Sequence, residues 1–402
     1  MIIGLLRETK IPADKRVPLS PAQCRQAEDE NIELKIVVQP SNDRCFSDHD
    51  YVREGIAVSE DLSSCDVLLG VKEVKPERLI PGKTYFFFSH TIKKQPHNRL
   101  LLKEVLARGI RLIDYEVLTD IKGIRMIGFG RWAGMVGTYN GIRAMCLRAD
   151  DKSLIPPQDC PDYDFMARQA SSVRLPNFKI ALTGDGRVAG GAEEMLAVFG
   201  VRKVTAAEYL EKEYFSYPVY VQLDPSLYNQ SKLRTSFNLQ HFFLHPDTYK
   251  SSFDRYSTCT DLLIMAAYWD PRAPMLMTAE EMRKPDFRIS AIADITCDIG
   301  GSVPSTLRST TFDSSFYDYN PITGEEEEPF SNLRNVTVMA IDNLPCGLPR
   351  EASADFGHHI MKSIIPLLLG DDREDVLGRA TITKGGELTD RYGYLAEWVN
   401  QE

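Results

Sequence analysis

The 402-residue chain is 43% hydrophobic and 26% charged, the balance of a soluble globular protein long enough for two domains. Its formal charge of −10 argues against a nucleic-acid or anionic-membrane surface, and its longest apolar runs, such as 364–369, are far too short to span a bilayer. The eight cysteines, at 24, 45, 65, 146, 160, 259, 297 and 346, form no Cys-x-x-Cys pair and have no histidine at zinc-ligand spacing, so buried free thiols and no metal are expected. Residues 1–7 read as an opening β-strand rather than a signal peptide, and the expected compartment is the cytoplasm.

Apolar segments at 1–6, 34–38, 67–71, 85–89 and 111–113 alternate with helix-like stretches such as 98–108. Alternation of this kind argues a parallel α/β sheet. A helical run over 133–148 leads into a Pro- and Asp-rich stretch, 154–164, which reads as a domain crossing. The apolar strand 178–183 then enters Gly184-Asp185-Gly186-Arg187-Val188-Ala189 and a helix-like run, 192–199. Strand, glycine turn and helix form the front of a dinucleotide-binding βαβ unit. Gly184 permits the tight turn, Gly186 lets the backbone approach a pyrophosphate, and Ala189 allows close helix–strand packing.

Residues 206–260, rich in Tyr, Phe, Ser and Asp, read as an insertion between the second and third strands of that unit. Further strands are expected at 261–267, 289–295 and 336–341. Glu325 to Glu328 read as a solvated loop, and 352–369 as an amphipathic helix capped by Gly370. The expected fold is α/β, with two Rossmann-like domains, parallel sheets and an active-site cleft between the domains. Residues 1–135 would form a substrate and catalytic domain, with 346–402 packing back on it. Residues 136–345 would form the dinucleotide-binding domain.

Open α/β sheets bind ligands at the carboxyl ends of their strands. Lys72 and Glu73 end the third apolar segment, His90 ends the fourth with Lys93 one turn later, and Glu116 follows the fifth. Arg7 and Arg16 bracket the loop after the first, and Arg125 precedes the run 126–129. Each alone reads as a solvated charge or a packed histidine. Together, a Lys and a His ending two strands beside several cations point to an acid/base pair and an anion-binding wall. Guanidinium groups match carboxylates through paired hydrogen bonds, so the site favours a small substrate carrying carboxylates.

These residues lie in stretches that resemble the lysine-forming saccharopine dehydrogenases, and most closely the lysine–ketoglutarate reductase domain of bifunctional lysine-degrading enzymes. The stretches are 35–42, 87–93, 111–116, 293–302, 341–353, 380–383 and 388–392, among them Phe87-Phe88-Ser89-His90-Thr91-Ile92-Lys93 and Ile341-Asp342-Asn343-Leu344-Pro345. The resemblance implies an oxidoreductase that interconverts saccharopine, NAD(P)+ and water with L-lysine, 2-oxoglutarate and NAD(P)H. It implies Lys72 and His90 as acid/base groups. Arg16, Glu73, Gln95 and Arg125, with Lys93 close by, match substrate-binding positions. Phe129, Gly186, Arg187, Ile341, Asp342, Asn343 and Leu344 match nucleotide contacts, beside Gly184 of the glycine turn.

NAD and NADP both stay open. Members that prefer NAD carry an Asp where Thr205 falls, and 202–207 contain no acidic residue to hold the ribose hydroxyls. The expected partners are saccharopine, lysine and 2-oxoglutarate, with no nucleic acid or membrane, and the oligomeric state is open. The alternatives are an alanine dehydrogenase-like amino-acid dehydrogenase and a non-catalytic NAD(P)-binding protein.

Overall fold

The structure, a computed structural model, describes residues 1–11 and 13–401. Six short strands in the first 114 residues pair in parallel: β1 (Ile2–Leu5), β2 (Lys35–Val38), β3 (Ala57–Val58), β4 (Val67–Leu69), β5 (Thr84–Phe87) and β6 (Arg111–Asp114). Their order is β6-β5-β4-β1-β2-β3. The chain builds outward from β1 to β3 and then crosses back to β4 on the other side of β1. The reversal point lies between β1 and β4, where the crossovers diverge and leave a crevice at the strand ends. Val67, Leu68 and Leu69 are all buried, as are Tyr85, Phe86 and Phe87, as expected for strands covered on both faces.

The second sheet is built from β7 (Lys179–Thr183), β8 (Arg202–Lys203), β9 (Val219–Leu223), β12 (Leu262–Met265), β13 (Ala291–Asp294), β14 (Tyr317–Tyr319), β15 (Glu326–Glu327) and β16 (Val336–Met339). Between β9 and β12, a separate antiparallel pair is formed by β10 (Asn229–Ser231) and β11 (Tyr249–Ser251). The large sheet runs β15-β14-β16-β13-β12-β7-β9-β8 and is parallel except for β14, which pairs antiparallel with both of its neighbours. The chain then rejoins the first sheet through β17 (Thr381–Lys384), antiparallel to β6, and β18 (Glu387–Leu388). Two compact units result, one of Met1–Phe129 with Pro349–Glu402 and the other of Gly130–Leu348.

The structure corrects several sequence-based expectations. The Pro- and Asp-rich stretch 154–164 lies inside the second unit, as do residues 130–135 and 346–348. Helix α1 (Gly130–Arg148) starts that unit and packs on α2 (Arg187–Val198), the helix that follows the glycine turn. Residues 206–260 do not interrupt the sheet, because they supply β9, the strand beside β7, and push β8 to the edge. The acidic run is part strand: Arg308 pairs with Glu326, and Asn320 and Asn335 donate to Glu327, which ties β15 to its surroundings. The helix expected over 352–369 starts as α3 (Pro349–His359) and widens into a π-helical turn over Ile360–Ile364. Pro366 has no N–H to donate back to that turn, so the regular ladder cannot run through it. No helix among the described residues is long and apolar enough to cross a membrane.

Candidate active site

The carboxyl ends of β4, β5 and β6 bring most of the chemically active side chains of the first unit together. Parallel register pairs Leu69 with Phe86 and Phe87 with Asp114. The Phe88 N–H donates to Val71 O at 3.0 Å and carries the β4–β5 pairing past the strand ends. Lys72 and His90 therefore follow the carboxyl ends of two adjacent strands. His90 has left-handed backbone, φ 53°. Neighbouring bonds hold it there: the Ser89 N–H and Oγ both donate to Asp114 Oδ2, and the Glu116 N–H donates to Asp114 Oδ1 at 2.7 Å. Asp114 is buried, and burial raises its pKa despite these donors.

Glu116 is the hub of the cluster. Its carboxylate lies 3.2 Å from His90 Nδ1, 3.0 Å from Lys93 Nζ and 3.3 Å from Arg125 Nη2. Loss of hydration pushes Glu116 up, but the His90 hydrogen bond and the Lys93 charge outweigh it and hold the carboxyl at about 2. With Nδ1 turned to a carboxylate, Nε2 becomes the nitrogen available as a base. The residue types at the three strand ends were visible in the sequence. The convergence of His90, Lys93 and Arg125 on one carboxylate was not.

A second carboxyl that sequence reading missed is Glu8, just past β1. Its oxygens accept the N–H groups of Val71 at 2.7 Å and Lys72 at 2.9 Å, so it clamps the backbone that carries Lys72 across the β1–β4 reversal point. Burial and the nearby charge of Asp14 raise it to about 8, against the lowering effect of the two N–H donors and Arg16. A carboxyl raised in the folded state stabilises fully below its ordinary value of 4.5, and that contribution is lost as pH rises through about 8. Glu116 acts in the opposite sense, stabilising above its ordinary 4.5 and losing that contribution as pH falls through about 2. The urea midpoint of the protein is expected to decline from pH 5 to 8, and Glu8→Gln is expected to flatten that decline. An unchanged slope in the variant would rule out Glu8 as its source.

The remaining sequence-predicted residues of this unit take varied positions. The Arg16 guanidinium is 2% exposed, grips Asp14 through Nε at 2.9 Å and Nη2 at 2.5 Å, and lies 4.1 Å over the Phe129 ring. Phe129 in turn stacks on Phe356, with centroids 4.3 Å apart. Phe129 thus belongs to the first unit and serves there as a packing face. Glu73 lies 3.8 Å from Lys10 through Oε1, while its buried Oε2 has no hydrogen-bond partner among the described residues. A buried acceptor left unfilled is costly, so Oε2 is poised for a cationic or N–H donor. Gln95 is exposed and accepts from Asn98 at 3.3 Å. Arg7 pairs with Glu60.

In the second unit the glycine turn has the geometry a dinucleotide needs. Gly184 has φ 96°, and a Cβ there would meet Ala266 O at 2.9 Å. Gly186 caps α2, and a Cβ on it would meet nothing within 4 Å, so its backbone faces open space beside the helix N-terminus. That open backbone, next to free N–H groups, suits a pyrophosphate. Arg187 begins the helix and is exposed, and Ala189 is fully buried beneath it. Ile341 and Leu344 are buried, Asp342 is exposed, and Asn343 donates to Cys346 Sγ at 2.9 Å. The strand beside β7 is β9, which ends at Leu223 and is followed by Asp224, while Thr205 lies beyond the edge strand β8. The signal was present in the sequence as an apolar run, Val219-Tyr220-Val221-Gln222-Leu223, followed by Asp-Pro.

Residues 4–136 match the family model of the alanine dehydrogenase/PNT N-terminal domain. An alpha-aminoadipic semialdehyde synthase of Arabidopsis thaliana is 29% identical over 98% of this chain and 41% of its own length, and the mitochondrial enzyme of Mus musculus is 30% identical over 98% and 47%. A saccharopine dehydrogenase of Emericella nidulans, named for NAD(+) and L-lysine formation, is 24% identical over 93% of each chain. The chain is similar in sequence to L-lysine-forming saccharopine dehydrogenases and to alpha-aminoadipic semialdehyde synthases. It spans less than half the length of the two synthases it matches. Among solved structures, an L-alanine dehydrogenase covers 99% of each chain at TM-score 0.66 and 18% identity. A transhydrogenase from Sinorhizobium meliloti covers 96% of this chain at TM-score 0.61 and 14% identity. These likenesses show a shared alanine dehydrogenase-like α/β fold.

Proposed function

We propose that this protein is an NAD(P)-dependent oxidoreductase of lysine metabolism that interconverts saccharopine and water with L-lysine and 2-oxoglutarate. The observation that carries the reading is the juxtaposition of Lys72 and His90 on adjacent strand ends, with His90 held by Glu116 in a cluster of cations. An amine that must be broken and remade at a carbon bearing a carboxylate needs two proton-transfer groups and anion contacts. The names of the homologues point to the same reaction.

Each group has a role that follows from its chemistry. Lys93 and Arg125 are the cations placed to receive substrate carboxylates. The unfilled Glu73 Oε2 accepts from the ammonium of the lysine moiety. His90, through Nε2, takes the proton from the water that attacks the carbon–nitrogen double bond of the substrate. Lys72 exchanges a proton with the departing or arriving amine nitrogen. Glu116 fixes the imidazole and stabilises its protonated form. Gly184, Gly186 and Arg187 would hold the pyrophosphate of the dinucleotide, which, when bound, supplies or accepts a hydride.

The test is oxidation of NADH and NADPH with lysine plus 2-oxoglutarate, omitting each substrate in turn. Consumption that needs both substrates is expected. No consumption by folded, nucleotide-binding protein would sink the assignment, and turnover of pyruvate with ammonia would move it to an alanine dehydrogenase-like activity.

A further inference from the structure

A recess of about 760 Å³ opens to solvent at the carboxyl ends of β1 and β2, on the β2 side of the reversal point. Residues 7–9, which follow β1, and 40–43, which follow β2, form two of its walls. The turn that carries Lys75 and Arg78 forms the third. Among the described residues that line it, none belongs to the acid/base pair or to the cations around Glu116.

The walls are braced, and two of their cations stand unmatched. Pro76–Arg78 is a 3₁₀ turn with Lys75 at its N-cap, and side chains three apart in such a turn eclipse. Lys75 and Arg78 thus fall on one side of the turn, and both line the recess. Val74 and Leu79 are buried on either side of the turn, and Arg108 Nη1 donates to Leu79 O at 2.6 Å, which ties it to the core. Both cationic side chains are exposed and make no ion pair or hydrogen bond among the described residues. Across from them, Arg7 donates to Pro40 O at 3.2 Å and pairs with Glu60. Arg44 staples the 40–43 wall, its Nε donating to Phe46 O and its Nη1 to Gln39 O, both at 2.8 Å. Thr9 also lines the recess, and its buried Oγ1 has no partner among the described residues, which leaves a hydroxyl donor unused.

Two carboxyls line the recess. Asp43 is exposed, and Glu8 is turned to the N–H groups of Val71 and Lys72. Burial and the charge of Asp14 raise Glu8 to about 8, against the pull of Arg16, and Tyr115 feels it from the end of β6. At neutral pH Glu8 therefore adds little negative charge. With Arg7 matched by Glu60, Lys75 and Arg78 face only Asp43, a local positive excess in a chain of net charge −10.

We propose that this recess is a second anion site, which takes a compact multivalent anion, a phosphate or a small polycarboxylate, between the Lys75–Arg78 turn and the residues after β1. The guanidinium fork matches either kind of oxyanion, and the lysine adds a point charge. Glu8 is shared with the backbone of Lys72, so occupancy of the recess is linked to the strand end that carries Lys72. The inference stands on the recess itself and not on the reaction proposed above.

Thermal-shift and calorimetric titrations of the intact chain with sulfate and with citrate, at an ionic strength held constant with chloride, test it. Saturable stabilisation by at least one of the two, absent with chloride alone, is expected. Preference for sulfate would mark a phosphate as the ligand, and preference for citrate a polycarboxylate. Lys75→Ala with Arg78→Ala is expected to weaken that binding about tenfold. The anion-free thermal midpoint of this double variant should stay unchanged, since both side chains are exposed. Lys93→Ala with Arg125→Ala is expected to leave the binding intact. Loss in the second pair and not in the first would assign the anion to the substrate cluster and overturn the proposal, as would a stabilisation no larger than that of chloride. A charged Glu8 repels an anion, so affinity is expected to fall as pH rises through about 8, and Glu8→Gln to remove that fall. Both probes keep a constant charge in that range. A fall of the same size in the variant would exclude Glu8 from the site.

Discussion

Gly191→Ala and Gly134→Ala are each expected to destabilise the protein by roughly 3–5 kcal/mol or to prevent folding, whereas Gly190→Ala one residue away is expected to be neutral or slightly stabilising. The contrast comes from backbone contact. A Cβ on Gly191 would fall 1.9 Å from Arg131 O, and one on Gly134 would fall 1.9 Å from Val188 O and 2.7 Å from Ala192 N. Helices α1 and α2 cross at these two points with no room for a methyl group, and neither partner atom belongs to a side chain that can turn away. To admit one, α2 must lift off α1, and α2 is the helix whose start forms the glycine turn. A Cβ on Gly190 meets nothing within 4 Å. At that site alanine removes backbone entropy from the unfolded chain without a clash. Urea midpoints of the three variants check the expectation. A Gly191→Ala midpoint equal to that of the unmodified chain would show that the helices are not in contact there.

His90→Asn and Lys72→Met are each expected to lower kcat for the saccharopine reaction by about 10²–10⁴-fold, the usual size of a general acid/base contribution. Each should remove one limb of the pH–rate profile and leave the thermal midpoint close to that of the unmodified protein, since both side chains are only half-buried. Glu116→Gln is the informative companion. It weakens the contacts to His90, Lys93 and Arg125 at once while leaving the acid/base groups in place. A smaller loss in kcat with a raised KM for the carboxylate substrate is expected from it, because ring orientation and the anion contacts loosen together. Full activity in His90→Asn would exclude this histidine from proton transfer. Equal losses of kcat in all three variants would show that the cluster acts as one structural element.

Much of this was legible from short range. The apolar runs ending at Lys72 and His90, and the turn from Gly184 to Ala189, carry their pattern within ten residues. Local backbone preference and burial on both faces dictate them. The carboxyl-end rule then placed Lys72, His90 and Glu116 in one region before any contact was known. Other features depended on partners far apart in the chain. Glu8 meets the N–H groups of Val71 and Lys72 across more than sixty residues. Two strand-like stretches, 202–203 and 219–223, competed for the place beside β7, and only sheet pairing gave it to the second, which Asp224 follows. Gly190 and Gly191 are equivalent in composition and differ in which one faces Arg131. Pairing register, helix crossings and charge hubs arise from contacts that cost loop-closure entropy and are settled by the whole packed sheet. A local pattern names the candidates, and the tertiary fold chooses among them.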